Sequence, residues 1–374
     1  MKIGLIVPGG VDRSGRILVI PVLLALIERL ARNHKVVVVS LDPKAEPSEY
    51  DLLGARVVTL GPTKAFNQPL WAAITLRKLM SALRAAGGFD LLHAFWTFPQ
   101  GTMAVTAGKL LRSPVVVSIG GGELVWLPTI QYGGMKSFRS RLTMSATLRI
   151  AQAVSGPSTY VVRNAAKTRH DIQWIPTGVD TTIFRGSTER SSGPPWHLLQ
   201  VAGLNQVKDQ ETLLNAVRQV AHVCPHIVVD CIGVDALHGR VQALARNLGI
   251  AKIVRFHGVL TVDEIVPFYR NAHLFLQSSL HESMGAAVLE AASSGVPTVG
   301  TDVGIVAEMA PRAAVAVPVG DAGALANGIL ELLQDSRRRA SLAFAAQNFA
   351  RTYDANWTAA QFEAMYRRLV PHSH

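Results

Sequence analysis

Glu282 and Glu290 lie eight residues apart, with Met284, Gly285, Ala286 and Ala287 between them. The run 284–292 is rich in strong helix formers and stops at Ser293-Ser294-Gly295. Glu282 therefore precedes a helix, and Glu290 falls about two turns later. A helix starting near Met284 directs free N–H groups and the positive end of its dipole into the loop. Gly285, Ala286 and Ala287 leave an anion room to approach. Two acids flanking such a tip suit a ligand with both phosphates and hydroxyls, as a nucleotide sugar has. A helix with one acid in its entry loop and one on a solvated face fits the same spacing.

Residues 272–277 are an apolar run that reads as a buried strand, and 296–300 read as a second. The segment is a β-loop-α-β unit, in which ligands sit at the carboxyl ends of the strands. The same alternation runs through the chain. Strands are expected at 2–7, 35–41, 55–60, 90–95 and 115–119, with helices over 17–32, 69–86 and 137–153. A second series follows, with strands at 197–202, 227–233, 254–258 and 315–318. Its helices are expected over 211–223, 235–248, 262–270 and 321–333, and 344–369 closes the chain in helices. The first strand ends in Pro8-Gly9-Gly10, a Gly-rich strand-to-helix turn that lacks the G-x-G-x-x-G spacing. Read alone it is a tight turn. Gly120-Gly121-Gly122-Glu123 follows the strand at 115–119, and three glycines there need positive φ or close approach.

The stretch SLHESMGAAVLEAASSGVPTVGTDVG resembles the Glu-x7-Glu motif of the retaining, group 1 nucleotide-sugar glycosyltransferases. That likeness implies an α/β chain of two Rossmann-like domains facing each other across a cleft, the GT-B fold, with carboxy-terminal helices crossing back to the first domain. It implies domains at 1–185 for the acceptor and 196–350 for the nucleotide sugar, joined by the Gly/Ser/Pro-rich linker 186–195. Residues 351–374 then return to the first domain. It further implies that Glu282 lies beside the donor sugar, that Glu290 takes the ribose hydroxyls, and that amides at 284–287 hold the diphosphate. The segment 203–210 is similar to the family's Gly-Arg-Leu-x-x-x-Lys turn, which makes Lys208 the phosphate-binding cation, though Gly203 replaces the arginine. His257-Gly258 is similar to the loop beside the nucleotide base, and Gly10 to the loop that closes on the donor phosphate. In the first domain, His93 at a strand end, Gly121 and Glu123 resemble the acceptor-side strand ends, with Gly120 where many members carry a histidine. Asp180, in Trp174-Ile175-Pro176-Thr177-Gly178-Val179-Asp180, is similar to the loop that closes that domain. Lys208, Glu282 and Glu123 are the expected catalytic residues. No Asp-x-Asp-like pair is present, so neither metal nor other cofactor is expected. Gly120 and Gly203 keep a second reading open: a non-catalytic nucleotide-sugar or glycan-binding protein. An epimerase on the same fold is a third, without a distinctive signature.

The 374 residues suit two domains, and 49% hydrophobic content supplies two cores. Cys224 and Cys231 form no CxxC or metal-ligand cluster and read as reduced thiols. No signal peptide and no membrane-spanning run are expected. Residues 1–185 carry 22 Lys and Arg against 10 Asp and Glu, while 186–374 carry 15 against 16. Between Glu123 and Asp171 there is no acid, and 137–153 reads as a basic helix with Phe138, Leu142, Leu148 and Ile150 as its apolar positions. The first half is therefore expected to meet an anionic substrate or an anionic membrane surface. A cell-envelope glycan or lipid-linked acceptor follows, with a cytoplasmic protein working at the inner face of the cell membrane. No reader motif or interleaved aromatics point to nucleic acid.

Overall fold

Lys2–Val7 (β1) and Lys35–Ser40 (β2) are aliphatic runs that pair in parallel, almost wholly buried, as a sheet covered on both faces requires. Ser48–Leu52 (β3) is a polar edge strand, antiparallel to Ala55–Thr59 (β4). Leu91–Phe95 (β5), Val115–Ser118 (β6), Ala153–Gly156 (β7) and Gln173–Trp174 (β8) complete the eight-stranded order β3-β4-β2-β1-β5-β6-β7-β8. This is a computed structural model, and it describes residues 1–62, 68–186 and 190–370.

Five helices connect these strands: Pro21–Asn33 (α1), Pro69–Ala86 (α2), Thr102–Leu111 (α3), Phe138–Ile150 (α4) and Thr159–Ala165 (α5). The expected helix from 17 begins instead at Pro21, because Ile20 is extended and proline fits the first turn, where its missing N–H costs nothing. α4 is set by a capping box, Ser137 and Ser140 each bonding the other's backbone N–H.

The second sheet runs β11-β10-β9-β12-β13-β14 with every pair parallel. Its strands are Trp196–Val201 (β9), Ile227–Ile232 (β10), Val254–Gly258 (β11), Leu274–Gln277 (β12), Thr298–Thr301 (β13) and Ala314–Val317 (β14). Gln210–Val223 (α6), Arg240–Asn247 (α7), Val262–Asn271 (α8), Ala286–Ser293 (α9), Val306–Met309 (α10), Ala322–Gln334 (α11) and Ser336–Thr352 (α12) belong to this unit. α7 starts later than the expected 235 because the Asp235 carboxylate accepts from Leu237 N and Gly239 N, holding a turn there. The final helix, Ala355–Leu369 (α13), returns to the first unit and lies on α1.

Residues 1–177 with the chain from Ala355 onward form one unit, and Gly178–Asp354 form the other. These divisions fall after Thr177 and Asp354, where the family likeness implies 185 and 350. Residues 178–185 stay with the second unit because Ser293 Oγ donates to Phe184 O, and the Phe184 ring meets Tyr269 edge-on at 5.5 Å. Of the expected linker, residues 187–189 lie outside the described residues.

Alternation along the first sheet separates two cores. Ile3, Leu5, Leu91 and Val116 face α1 and α13, while Ile6, Leu92, Val115 and Val117 face α2, α3 and α4. The second unit has its own core, which includes Leu198, Val217, Val229, Leu274 and Ile329.

Candidate functional site

β12 delivers the chain to residues 278–285, and α9 begins at Ala286, two residues after the expected start. Gly285 takes φ +89 at its N-cap, and no side chain among the described residues caps the helix. A side chain at Gly285 would also sit 2.9 Å from Gln277 Oε1. The loop is fixed from three sides. Leu280 N donates to Val207 O at 2.8 Å, Ser278 Oγ to Lys208 O at 2.8 Å, and Thr301 Oγ1 to Ser279 O at 2.7 Å. The loop after β13 closes on it, with Ile305 N donating to Met284 O at 2.7 Å. Gly304 permits this approach: it holds φ +58, and a Cβ there would lie 2.6 Å from Met284 O and 2.7 Å from Glu282 Cβ.

These constraints bring Lys208 and Glu282 together as an ion pair, and Ser279 Oγ donates to the same Glu282 Oε1 at 2.7 Å. Lys208 ends a 3₁₀ turn, Gln206–Lys208, in which the Asn205 side chain accepts from Lys208 N. Asp209 follows in the left-handed region and caps α6 through Thr212. With side chains 24% and 12% exposed, the pair is partly desolvated, so its attraction exceeds that of a surface pair.

Glu290 is more deeply placed, at 7% exposed, and Tyr269 donates its hydroxyl to Oε2 at 2.7 Å. Burial pushes the Glu290 carboxyl up to about 7, and the tyrosine's hydrogen bond opposes that rise. Gln277, at the end of β12, is buried, and its Nε2 finds no partner among the described residues. Such a donor costs about 1–3 kcal/mol until something accepts from it. Gly258 ends β11 with φ +70 and open space around its α-carbon, beside His257, whose Nε2 lies 2.7 Å from Asp230 Oδ1.

The first-unit candidates are placed differently. His93 is fully buried, with Nδ1 2.6 Å from Tyr366 Oη and Nε2 2.7 Å from Ser118 Oγ, which in turn meets Ser155 Oγ at 2.6 Å. Burial lowers its pKa to about 3. This corrects the expectation of an acceptor-side residue: His93 is a neutral core histidine. Glu123 is a loop clamp, its Oε1 accepting from Thr97 N and Gly120 N at 3.1 and 2.9 Å and its Oε2 from Gly121 N at 2.5 Å. Gly120 and Gly121 lie against the Trp96 ring, where a Cβ would come within 2.7 Å of it in either case. Trp96 itself holds φ +73, a strained value for an aromatic residue. The indole thus fills the space a side chain at 120 would need. Gly10, at φ +74, would collide with Ile20 if it carried a Cβ, and Ile20 N donates to Gly10 O, so this glycine shapes its own turn. Asp180 belongs to the second unit rather than closing the first, and its carboxylate caps a turn through Thr182 N and Oγ1 at 2.8 and 2.6 Å.

Within the second unit, then, Lys208 and Glu282 meet in the loop that leads through Met284 and Gly285 into α9, and Glu290 lies about one turn into that helix, against Tyr269. Tyr269, Ser279, Gln277 and Gly304 belong to the same place and were not anticipated. Tyr269 is signalled only by an aromatic hydroxyl on the apolar side of a helix, where a buried partner is needed.

The sequence profile described as glycosyl transferases group 1 matches residues 186–349, and that of glycosyltransferase family 4 matches 21–183. A D-inositol 3-phosphate glycosyltransferase of Corynebacterium aurimucosum is 28% identical over 250 residues, 58% of each chain. The chain spans little more than half the length of the curated relatives it matches. Sucrose-phosphate synthase from Thermosynechococcus elongatus superimposes with a TM-score of 0.80 over 99% of both chains, at 19% identity. The Anabaena protein HepE, solved with UDP and glucose, gives 0.74 over 98% of this chain and 100% of its own, at 17% identity. At such identities the likeness is one of fold, the two-domain GT-B arrangement.

Proposed function

The chain belongs to the group 1 glycosyltransferases, and from that premise we propose that it moves a sugar from a nucleoside-diphosphate donor to an acceptor with retention of configuration. The observation that carries this reading is the Lys208–Glu282 pair in the loop entering α9, with Glu290 about one turn into that helix. The diphosphate would lie on the amides from Gly285 to Ala287 and on the Lys208 ammonium. Glu282, held by Ser279, would orient the donor sugar, and Glu290 would accept from ribose hydroxyls. As the sugar's anomeric bond to phosphate breaks, negative charge grows where the helix tip and Lys208 point positive charge. The acceptor hydroxyl would attack on the same face, its proton passing to the departing phosphate oxygen. Lys208 and the helix tip supply the charge stabilisation a divalent cation gives elsewhere, so chelators are expected to leave the rate unchanged. The first unit, with its excess of Lys and Arg, suits an anionic glycan or lipid-linked acceptor. The relatives named for inositol 3-phosphate act, by that name, on a phosphate-bearing molecule.

A binding protein without catalysis remains the second reading, and one observation favours it. A Cβ at Gly203 would make only ordinary contacts, 3.4 Å to Asn205 Nδ2 and 3.5 Å to Val234 Cγ1, so packing does not force the loss of a cation there. The test is a thermal-shift screen of sugar nucleotides followed by assay of donor turnover. Transfer should fall about 10²–10³-fold in Lys208→Ala and in Glu282→Ala. Donor binding without turnover against any acceptor would establish the binder.

A further inference from the structure

α2, α3 and α4 lie side by side over one face of the first sheet, and α5 extends the same layer through Val161 and Ala165. None of the four helices contains an aspartate or glutamate. Solvated helices ordinarily mix signs, gaining i,i+4 pairs and avoiding self-repulsion. This layer instead exposes Arg77, Arg84, Lys109, Arg112, Arg139 and Arg141. It also exposes large apolar side chains: Leu70 at 68%, Leu110 at 61%, Phe138 at 79%, Leu142 at 57% and Ile150 at 52%. Of the apolar positions that the sequence assigns to α4, only Leu148 reaches the core. Phe138 and Leu142 are one turn apart and point outward beside Arg139 and Arg141. Two grooves run along the layer. One is lined by Leu76, Arg77, Arg84 and Leu110, the other by Lys109, Arg112, Pro114 and Ile150. In each, cations sit next to aliphatic surface with no acid.

We propose that this acid-free helical face docks on an anionic lipid bilayer, Phe138 and Leu142 entering the headgroup boundary and the flanking arginines and lysines meeting lipid phosphates. Scattered single apolar residues are normal on a surface, but five on one layer that carries no acid leave apolar area between cations that water alone does not favour. Cations over aliphatic stems suit a surface that is charged outside and apolar beneath. Phe138 is the single exposed large aromatic on these helices, which leaves few platforms for stacking nucleic-acid bases. The inference does not depend on glycosyl transfer.

The test is co-sedimentation of the full chain with phosphatidylglycerol/phosphatidylcholine vesicles and with phosphatidylcholine alone. Binding should require the anionic lipid and weaken with salt. Arg139→Glu/Arg141→Glu should weaken it at least about tenfold, and Phe138→Ser/Leu142→Ser should remove most of what persists at high salt. Arg218→Glu/Arg246→Glu, in the second unit, should leave it within twofold. All six side chains are exposed, so thermal unfolding should not change, and nucleotide-sugar thermal shifts measured alongside keep the donor reading separate. No binding to anionic vesicles at low salt overturns the proposal. So does equal loss in the second-unit pair, or single-stranded RNA outcompeting vesicles at matched phosphate.

Discussion

Glu290 shows how a residue's surroundings can set stability and binding against each other. Its carboxyl has an ordinary value of 4.5 and is raised to about 7 by burial. Because the folded state holds this proton more tightly than the unfolded chain, stability is fullest below 4.5, declines as pH rises to about 7 and then levels off. At pH 8 the buried charge costs about 3 kcal/mol. Glu290→Gln, which can still accept from Tyr269, should therefore raise the second unit's melting temperature at pH 8 and leave it unchanged near pH 4.5. If the carboxylate grips ribose, the same variant should lose donor affinity, and the wild type should bind donor less well as pH falls below 7. Calorimetry and donor titration at the two pH values check both halves; a variant no more stable at pH 8 would refute the buried charge. Spacing alone puts Glu282 ahead of a helix and Glu290 within it, but it does not show the depth of Glu290, because an alanine-rich helix buried on most sides has no polar stripe to read. His93 was misplaced for a related reason. A parallel strand covered on both faces shows no alternation, so nothing in Leu91–Phe95 says which way the imidazole points.

At the scale of elements, the site depends on two loops touching without side chains between them. Gly304 is the contact, so Gly304→Ala should strain the backbone by about 1–2 kcal/mol and push residues 282–284 away from Lys208. Donor affinity should fall about tenfold or more, with a smaller loss of thermal stability. Gly203→Ala is the matched control: its φ is not in the left-handed region and its Cβ has room, so both affinity and melting temperature should stay near wild type. Equal effects from the two substitutions would refute the loop-contact argument. Most elements were legible from composition. The helix expected over 69–86 is found there, and the strands of both sheets lie within a few residues of expectation. The strands that sequence did not offer are β3, polar and mostly exposed, the four-residue β7, whose first residue falls in the helix expected over 137–153, and the two-residue β8. Their pairing is decided by neighbours rather than by their own residues. Helix starts slipped where a carboxylate or glycine holds the entry turn, as at Asp235 and Gly285, since local side-chain bonds compete with the first helical turn.

At the scale of the whole molecule, the two units carry buried groups that answer acid in opposite senses. In the first, burial lowers His93 to about 3 from 6.5, so the folded state refuses a proton that the unfolded chain takes. Stability from this group is complete above 6.5 and drains as pH falls toward 3, about 1.4 kcal/mol by pH 5.5. His34, also lowered by burial, works in the same direction. That unit holds 23 Lys and Arg against 10 Asp and Glu, so added protons repel one another further. In the second unit Glu290 gains about 2 kcal/mol over the same fall from pH 7, offset in part by His273, which burial also lowers. Each unit has its own core, so each should unfold in its own transition. Between pH 7.5 and 5.5 the first transition should drop while the second holds or rises, widening their separation by on the order of 5 °C. In Glu290→Gln the second transition loses its compensating carboxyl and should follow the first downward, so the widening disappears. Parallel shifts in the wild type, or a gap that widens equally in the variant, would show that these two buried groups do not govern how the molecule meets acid.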